Sequence, residues 1–308
     1  MGDVHELILS QGKQAALKRD DRLREAVDAA AGYLSDETGG IGCLYAGWCQ
    51  AALPHKRLAD DQVWEVSSEK VRLVVRPGQK PANGVHGKLI DVGVPYGARA
   101  RLILLYMQSE AIRTQSPEVK LGNSMRNWLH RMGVPVGGTS VAMIREQADR
   151  ISRCSLTFHI ERGGSIGLVN QTIMESAMFD RGEGGQGDLF ASKARLSHGF
   201  FEQLQKHPVP LEEAAVFQIA NNSQAMDVYA WLAYRLHALD KPTPLTWAAL
   251  KGQFGLGVGR MDNFRKMFLK SLELSLAVYP AAKVEVSTTG LLLHPSRPPV
   301  APKQIAAR

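Results

Sequence analysis

The sequence predicts an α+β chain built from two tandem copies of one module, with a helical N-terminal arm. Three observations carry this reading. Apolar residues recur at helical spacing in two sets of three segments, over 96–114, 123–132 and 139–153, then 225–239, 247–254 and 263–278. Each set runs into a pair of strand-like stretches joined by a glycine turn, at 155–174 and at 283–293. The second half of the chain therefore repeats the order of the first.

The arm comes first. Glu6 to Leu34 is charged and alanine-rich, with Leu17, Leu23, Val27 and Leu34 spaced as on one helix face, and Gly39, Gly40 and Gly42 end it. A dimerisation element and a mobile surface segment are both open to it. From Trp48 to Val94 the pattern turns to short β-prone runs, Val71–Val75 and Lys88–Val92, bounded by Arg76-Pro77-Gly78 and by Gly93.

In the first module Leu102, Leu105, Tyr106 and Ile112 mark a helix that Pro117 stops. Asn123 or Ser124 caps a second helix carrying Met125, Trp128, Leu129 and Met132, with Gly133 at its left-handed end. Thr139 or Ser140 caps a third, running to about Arg153, and the hairpin turns at Arg162-Gly163-Gly164-Ser165. The glycine-rich stretch Arg181 to Asp188 reads as a connector or a hairpin tip. In the second module Thr246 caps Trp247 to Phe254, Gly255 to Gly259 makes a turn, and Asp262 caps Asn263 to Val278. A hairpin of Lys283–Val286 and Leu291–Leu293 closes it. Each module is thus a winged helix: a helix-turn-helix plus a β-hairpin wing. The expected division is an arm over 1–39, a first winged-helix domain with extra strands over 40–190, a second over 191–296, and a disordered basic tail over 297–308.

Charge indicates the partner. The 308 residues carry a net charge of +7. From Lys251 onward there are nine Lys or Arg against three acids, so the excess sits near the C-terminus. That balance favours a polyanion. In the last long helix Phe264, Met267, Phe268, Ser271, Leu274 and Val278 fall on one face and Lys266, Lys270 and Glu273 opposite, with Asn263 and Arg265 at the edges and Arg260 in the approach turn. A basic face of that size suits the major groove of double-stranded DNA, and Asn and Arg suit paired hydrogen bonds to adenine and guanine edges. The alternative is a solvated helix face. In the first module Val141, Ile144, Ala148 and Ile151 form the inward stripe, leaving Arg145, Arg150 and Arg153 for DNA. Glu146 and Asp149 share that face and weaken phosphate attraction; a subunit contact is the alternative. Arg162 and Lys283 are the wing candidates. The five tryptophans lie on apolar patterns and read as core.

Other chemistry lacks residues. Cys43, Cys49 and Cys154 fit no zinc spacing and read as buried thiols in a reducing cytoplasm. No charged-then-apolar leader opens the chain, and no apolar run approaches a membrane span of about 18 residues. No two histidines stand two residues apart, as a rolling-circle nickase needs, and no Gly-Lys-Ser/Thr exists for ATP hydrolysis. No catalytic residue, cofactor or metal is expected, and an enzyme is not.

Several strings resemble a known family. Gly47-Trp48-Cys49-Gln50-Ala51-Ala52-Leu53-Pro54-His55 is one, and Gly93-Val94-Pro95-Tyr96-Gly97-Ala98-Arg99-Ala100-Arg101, running into Leu102 to Tyr106, is another. Leu121 to Met125, Trp128-Leu129 and Arg145-Glu146-Gln147-Ala148 add to them. Over about Gly40 to Pro295 the chain resembles the RepA-type plasmid replication initiators of Gram-negative bacteria. The resemblance implies a cytoplasmic protein, associated with plasmid or nucleoid, that binds direct repeats at a plasmid origin. It also implies help in melting the origin, recruitment of the host initiator and replicative helicase, and self-repression as a homodimer. A dimeric repressor acting on an inverted repeat is the competing reading, and a nickase or primase a third.

Overall fold

The computed structural model describes residues 2–18, 24–37, 39–68, 71–83, 86–134, 138–162, 165–178 and 193–301. The chain divides into two compact units, one of residues 43–208 and one of residues 1–42 with 209–308. In chain order the elements are α1 (Gly2–Gln11), α2 (Lys13–Leu17), α3 (Arg24–Leu34), β1 (Ile41–Tyr45), α4 (Ala46–Gln50), β2 (Trp64–Ser67), β3 (Val71–Arg76), β4 (Gln79–Pro81), β5 (Leu89–Asp91), α5 (Gly97–Thr114), β6 (Glu118–Lys120), α6 (Gly122–Arg131), α7 (Gly138–Arg153), β7 (Ser155–Arg162), β8 (Ser165–Thr172), β9 (Met174–Met178) and β10 (Lys193–Leu196). They continue with α8 (His198–Lys206), β11 (Pro208–Glu212), α9 (Glu213–Ile219), α10 (Ser223–Arg235), β12 (Thr243–Thr246), α11 (Trp247–Phe254), α12 (Met261–Ala277), β13 (Val284–Val286) and β14 (Gly290–Leu293).

In the 43–208 unit α5 is the central helix. Eight consecutive side chains, Arg101 to Gln108, are buried, so it is covered on every side rather than along one stripe. It ends at Gln115, which takes the left-handed conformation (φ 54°) usually left to glycine. The expected two-stranded wing is part of a larger antiparallel sheet of order β2-β3-β7-β8, in which Leu73 pairs with Phe158 and Phe158 with Val169. Under it Tyr45, Trp48 and Phe158 pack edge to face, with centroids 5.6 Å and 5.9 Å apart. Gly133 sits at φ 68°, and Val134 N–H donates to the Leu129 carbonyl at 3.0 Å, the left-handed cap that the sequence asked for. The residue before α6 is Leu121, however, so neither Asn123 nor Ser124 caps it.

β10 is the middle strand of a second sheet, β6-β10-β9. It therefore holds residues 193–208 in this unit, and the divide falls at 208/209 rather than at 190/191. The stretch Arg181 to Asp188 lies outside the described residues.

The other unit is built on α10 and α12. Phe264, Phe268, Ser271 and Ser275 line the buried face of α12, at spacings of four, three and four residues. Small hydroxyls let α10 close on it. Ser275 donates to the Ala225 carbonyl at 2.9 Å, Ser271 donates to Gln224 Oε1 at 3.0 Å, and Gln224 Nε2 donates to the Phe254 carbonyl at 3.1 Å. The buried side chains of Gln224, Ser271 and Ser275 thus each have a partner, as burial demands. Aromatic rings fill the rest: Trp231 on Phe254 at 5.4 Å, and Trp247 on Phe268 at 6.3 Å. Thr246 Oγ1 accepts from Ala249 N–H at 3.2 Å and caps α11 as expected. Arg260, not Asp262, precedes α12. Its extended backbone starts the helix two residues earlier and leaves Asp262 in the first turn, still favourable to the helix dipole. The sheet has the order β12-β14-β13.

The N-terminal helices belong to this same unit. Buried Ala26, Val27, Ala29 and Ala30 bring α3 close to its neighbours. A side chain at Gly32 would meet the end of the Gln218 amide at 2.3 Å, so the glutamine would have to swing aside to admit one. His5 Nε2 donates to the Ala277 carbonyl at the end of α12 at 2.8 Å, and the Tyr33 hydroxyl donates to Glu212. Leu23, one of the residues of the expected stripe, lies outside the described residues. The expected tail is ordered at its start: the Arg297 carbonyl accepts from the Tyr279 hydroxyl at 2.7 Å.

Candidate nucleic-acid interface

The basic face of α12 follows from how the helix is buried. With Phe264, Phe268, Ser271 and Ser275 turned inward, the exposed residues of its first half are Asp262, beside Arg260 at its start, and a set of four, Asn263, Lys266, Met267 and Lys270. They repeat at three, four and seven positions, which aligns them in one stripe. The second half, Ser271 to Ala277, is closed in apart from half-buried Glu273. Met267 departs from the expected core stripe: it is 47% exposed.

The approach turn is shaped by glycine. A side chain at Gly255 would strike the Phe264 ring at 2.6 Å and the Lys251 carbonyl at 2.9 Å. Gly257 has φ 85°, a conformation that L side chains rarely adopt. Lys251 Nζ donates to the Gly259 carbonyl at 2.6 Å and steadies the same turn. Arg260 is exposed beside Asp262 at 3.5 Å. Arg265 is engaged within the fold: its guanidinium lies 5.2 Å from the Trp247 ring centroid and donates to the Thr288 carbonyl at 3.2 Å. It links α12 to the turn between β13 and β14. Lys283 is exposed at the start of β13, its N–H donating to Ser296 Oγ at 3.0 Å.

In the 43–208 unit the expected arginines part company. Arg145 is exposed on α7. Arg150 corrects the sequence reading: it is 2% exposed and cannot reach DNA. Its guanidinium donates to Asp60 at 3.0 Å, to Glu146 at 2.8 Å and to the Val94 carbonyl at 3.1 Å, and lies 5.2 Å from the Tyr96 ring centroid. Arg153 donates to Asp149 at 2.7 Å and to the Gln79 carbonyl at 3.4 Å. Lys80 holds the other Asp149 oxygen at 2.6 Å. The C-terminal half of α7 is thus covered by the 60–96 segment, and its open part is the first half, around Ala142, Met143 and Arg145. The Arg162 side chain lies outside the described ones.

These ion pairs set the acids. Burial raises the Asp149 carboxyl, but hydrogen bonds from Arg153 and Lys80 outweigh it and hold the group below its ordinary value. Asp60 is lowered in the same way: burial raises it, and hydrogen bonds from Arg57 and Arg150 prevail. A second buried arginine, Arg101, was not singled out from the sequence. It donates to the Leu53 carbonyl at 2.7 Å and the Gly97 carbonyl at 2.9 Å. Both sit in the strings that carry the family resemblance, so those strings are the scaffold that the two arginines fasten.

Among the described residues no three His, Cys, Asp or Glu are grouped to hold a metal. The three cysteines are free, and burial pushes the Cys154 thiol up to about 12. Gly163-Gly164-Ser165-Ile166-Gly167 has the Gly-x-Ser-x-Gly spacing of acyl-transfer nucleophiles. Ser165, however, opens a hairpin strand opposite Arg162, whereas that chemistry uses a strand-to-helix turn. No helix among the described residues is long and apolar enough to cross a membrane.

No curated protein matches the chain. Two solved structures of domains 2 and 3 of RctB are similar. A selenomethionine derivative has a TM-score of 0.48 at 11% identity, covering 74% of this chain and 83% of that one. The other has 0.45 at 12%, covering 77% and 83%. The family of the plasmid encoded RepA protein matches residues 94–248. That stretch is half of the chain, and it holds Arg101, Arg145 and Arg150, with α5 to α10 between its ends. The chain is therefore a member of the plasmid-encoded RepA protein family.

Proposed function

We propose that this protein initiates plasmid replication by binding repeated double-stranded DNA at the plasmid origin, and that it does so without catalysing a covalent reaction. Membership of the RepA family carries the reading. The exposed basic stripe of α12 supports it, because Lys266 and Lys270 suit phosphate and Asn263 suits an adenine edge. The order α10, β12, α11, α12, β13, β14, with β14 between β12 and β13, supports the winged-helix reading, in which α12 serves as the recognition helix. In this reading Arg260, Asn263, Lys266, Lys270 and Lys283 contact DNA from one unit. Arg145 does so from the open half of α7 in the other. The bound copies help open the origin and recruit the host initiator and the replicative helicase.

Footprinting on the DNA flanking the gene tests this. Protected direct repeats, spaced near one or two helical turns of about 10.5 base pairs, are the expected result. Binding should weaken steeply with salt as counterions return to the phosphates. A single protected inverted repeat in a protein that plasmid maintenance does not need would make it a repressor instead. Metal-dependent nicking or primer synthesis by the purified chain would make it an enzyme.

A further inference from the structure

We infer that Met267 is a specificity residue that reads a thymine methyl group in the major groove. The inference rests on the reading of α12 as a recognition helix and assigns it a chemistry beyond phosphate and adenine. Met267 stands in mid-helix, between the buried rings of Phe264 and Phe268, so its 47% exposure is not fraying at an end. Its neighbours in the outward stripe are Asn263, Lys266 and Lys270. A long apolar side chain set among two cations and an amide has little to gain from water. The partner that covers it must be anionic around its edges, for the lysines, and apolar at one point.

The major groove meets both demands. Its walls are phosphates, and the one apolar group on its floor is the C5-methyl of thymine. Met267 follows Asn263 by four residues, a rise of about 6 Å along the helix. Successive base pairs are about 3.4 Å apart. An adenine edge taken by Asn263 therefore places a thymine roughly two steps away within reach of Met267. The unbranched thioether adapts to a methyl whose position shifts with groove width. A protein surface as the occupant has less in its favour, because the lysines on either side would need a matching acidic ring.

Deoxyuridine, which is thymine without the methyl group, tests the pairing directly. The full-length chain is bound to duplexes selected from a random library, and each thymine of the preferred site is replaced in turn by deoxyuridine. The expected result is a loss of about threefold to fivefold at one thymine, the effect of burying one methyl group. In Met267→Ser that same replacement should change affinity by less than about 1.5-fold, while penalties at other positions persist. Lys266→Ala should keep the thymine penalty and lose part of the salt dependence. The inference falls if no thymine is sensitive, or if Met267→Ser retains the penalty. It also falls if the substitution leaves DNA binding intact and abolishes self-association, which would put a protein on this face. A wild-type chain that selects no duplex at low salt would bring down the initiator reading as well, whereas site-specific binding without thymine sensitivity overturns only Met267.

Discussion

Lys270 of α12 and Glu25 of α3 face each other across 3.1 Å, so an acid from the N-terminal helices stands on the edge of the basic stripe. Both side chains are well exposed, 61% and 66%, and such a pair adds little to stability. Its effect lies in competition: a phosphate approaching Lys270 must displace the carboxylate. Glu25→Gln is expected to tighten binding to a duplex by about twofold to fivefold, the scale of an exposed ion pair. Fluorescence anisotropy at low salt should show the gain, and it should shrink at high salt. A tighter complex at every salt concentration would mean that the pair does something other than compete.

Removing both cations has the opposite sign. Lys266→Ala with Lys270→Ala should weaken DNA binding and flatten the plot of log affinity against log salt by about two units, close to 0.9 per lost phosphate contact. Both positions are exposed, so the melting temperature should hold. An unchanged salt slope would move the phosphate contacts away from α12.

Arg150 has a structural part and should behave accordingly. Arg150→Met leaves Asp60 and Glu146 with only the exposed Arg57, 3.2 Å and 3.5 Å from them, in place of their buried partner. Breaking a fully buried pair costs about 3–5 kcal/mol, and the partial exposure of both carboxylates lowers the expected loss to roughly 2–3 kcal/mol. Arg150→Lys should recover only part of it, because one ammonium cannot reach two carboxylates and a carbonyl in a fork. Thermal unfolding measures both. Gly93→Ala is predicted to destabilise as well: its φ is 77° and the added carbon would lie 1.9 Å from Arg150 Nη1. An Arg150→Met protein of native stability that fails only in DNA binding would return this residue to the interface.

Acid should loosen the 43–208 unit. Asp60 and Asp149 have carboxyls held below the ordinary aspartate value near 3.8. Each contributes stability that is present above that value and is lost as pH falls through the lower value of the folded state. Melting temperature should therefore decline below about pH 4. Asp149→Asn should lower it at neutral pH and make the decline shallower. An equal decline in wild type and variant would show that Asp149 takes no part.

Local signals were the legible ones. Thr246 as a cap and Gly133 in a left-handed turn each depend on a few adjacent residues, and each is where the sequence placed it. The apolar stripe of α12 was legible in outline, but 264, 267, 268 and 271 fit a helix face as well as 264, 268, 271 and 275 do. Close packing on α10 through Ser271 and Ser275 selects the second set and turns Met267 out. Arg150 was misread because a charge on a helix suggests water, while its partners Asp60 and Val94 lie 90 and 56 residues away. The pairing of β3 with β7 and of β6 with β10 is equally non-local, which is why an isolated hairpin was expected where a four-stranded sheet stands.

The unit made of residues 1–42 and 209–308 has a consequence for synthesis. Helices α1 to α3 leave the ribosome early, yet the surfaces they cover, on α9 and α12, are encoded after residue 209. At 5–20 residues per second the start of the chain waits on the order of ten to fifty seconds for its partners. During that interval its alanine-rich face is a natural substrate for chaperones. A message truncated before α9 would release a protein whose central unit is finished and whose first helices have nowhere to dock.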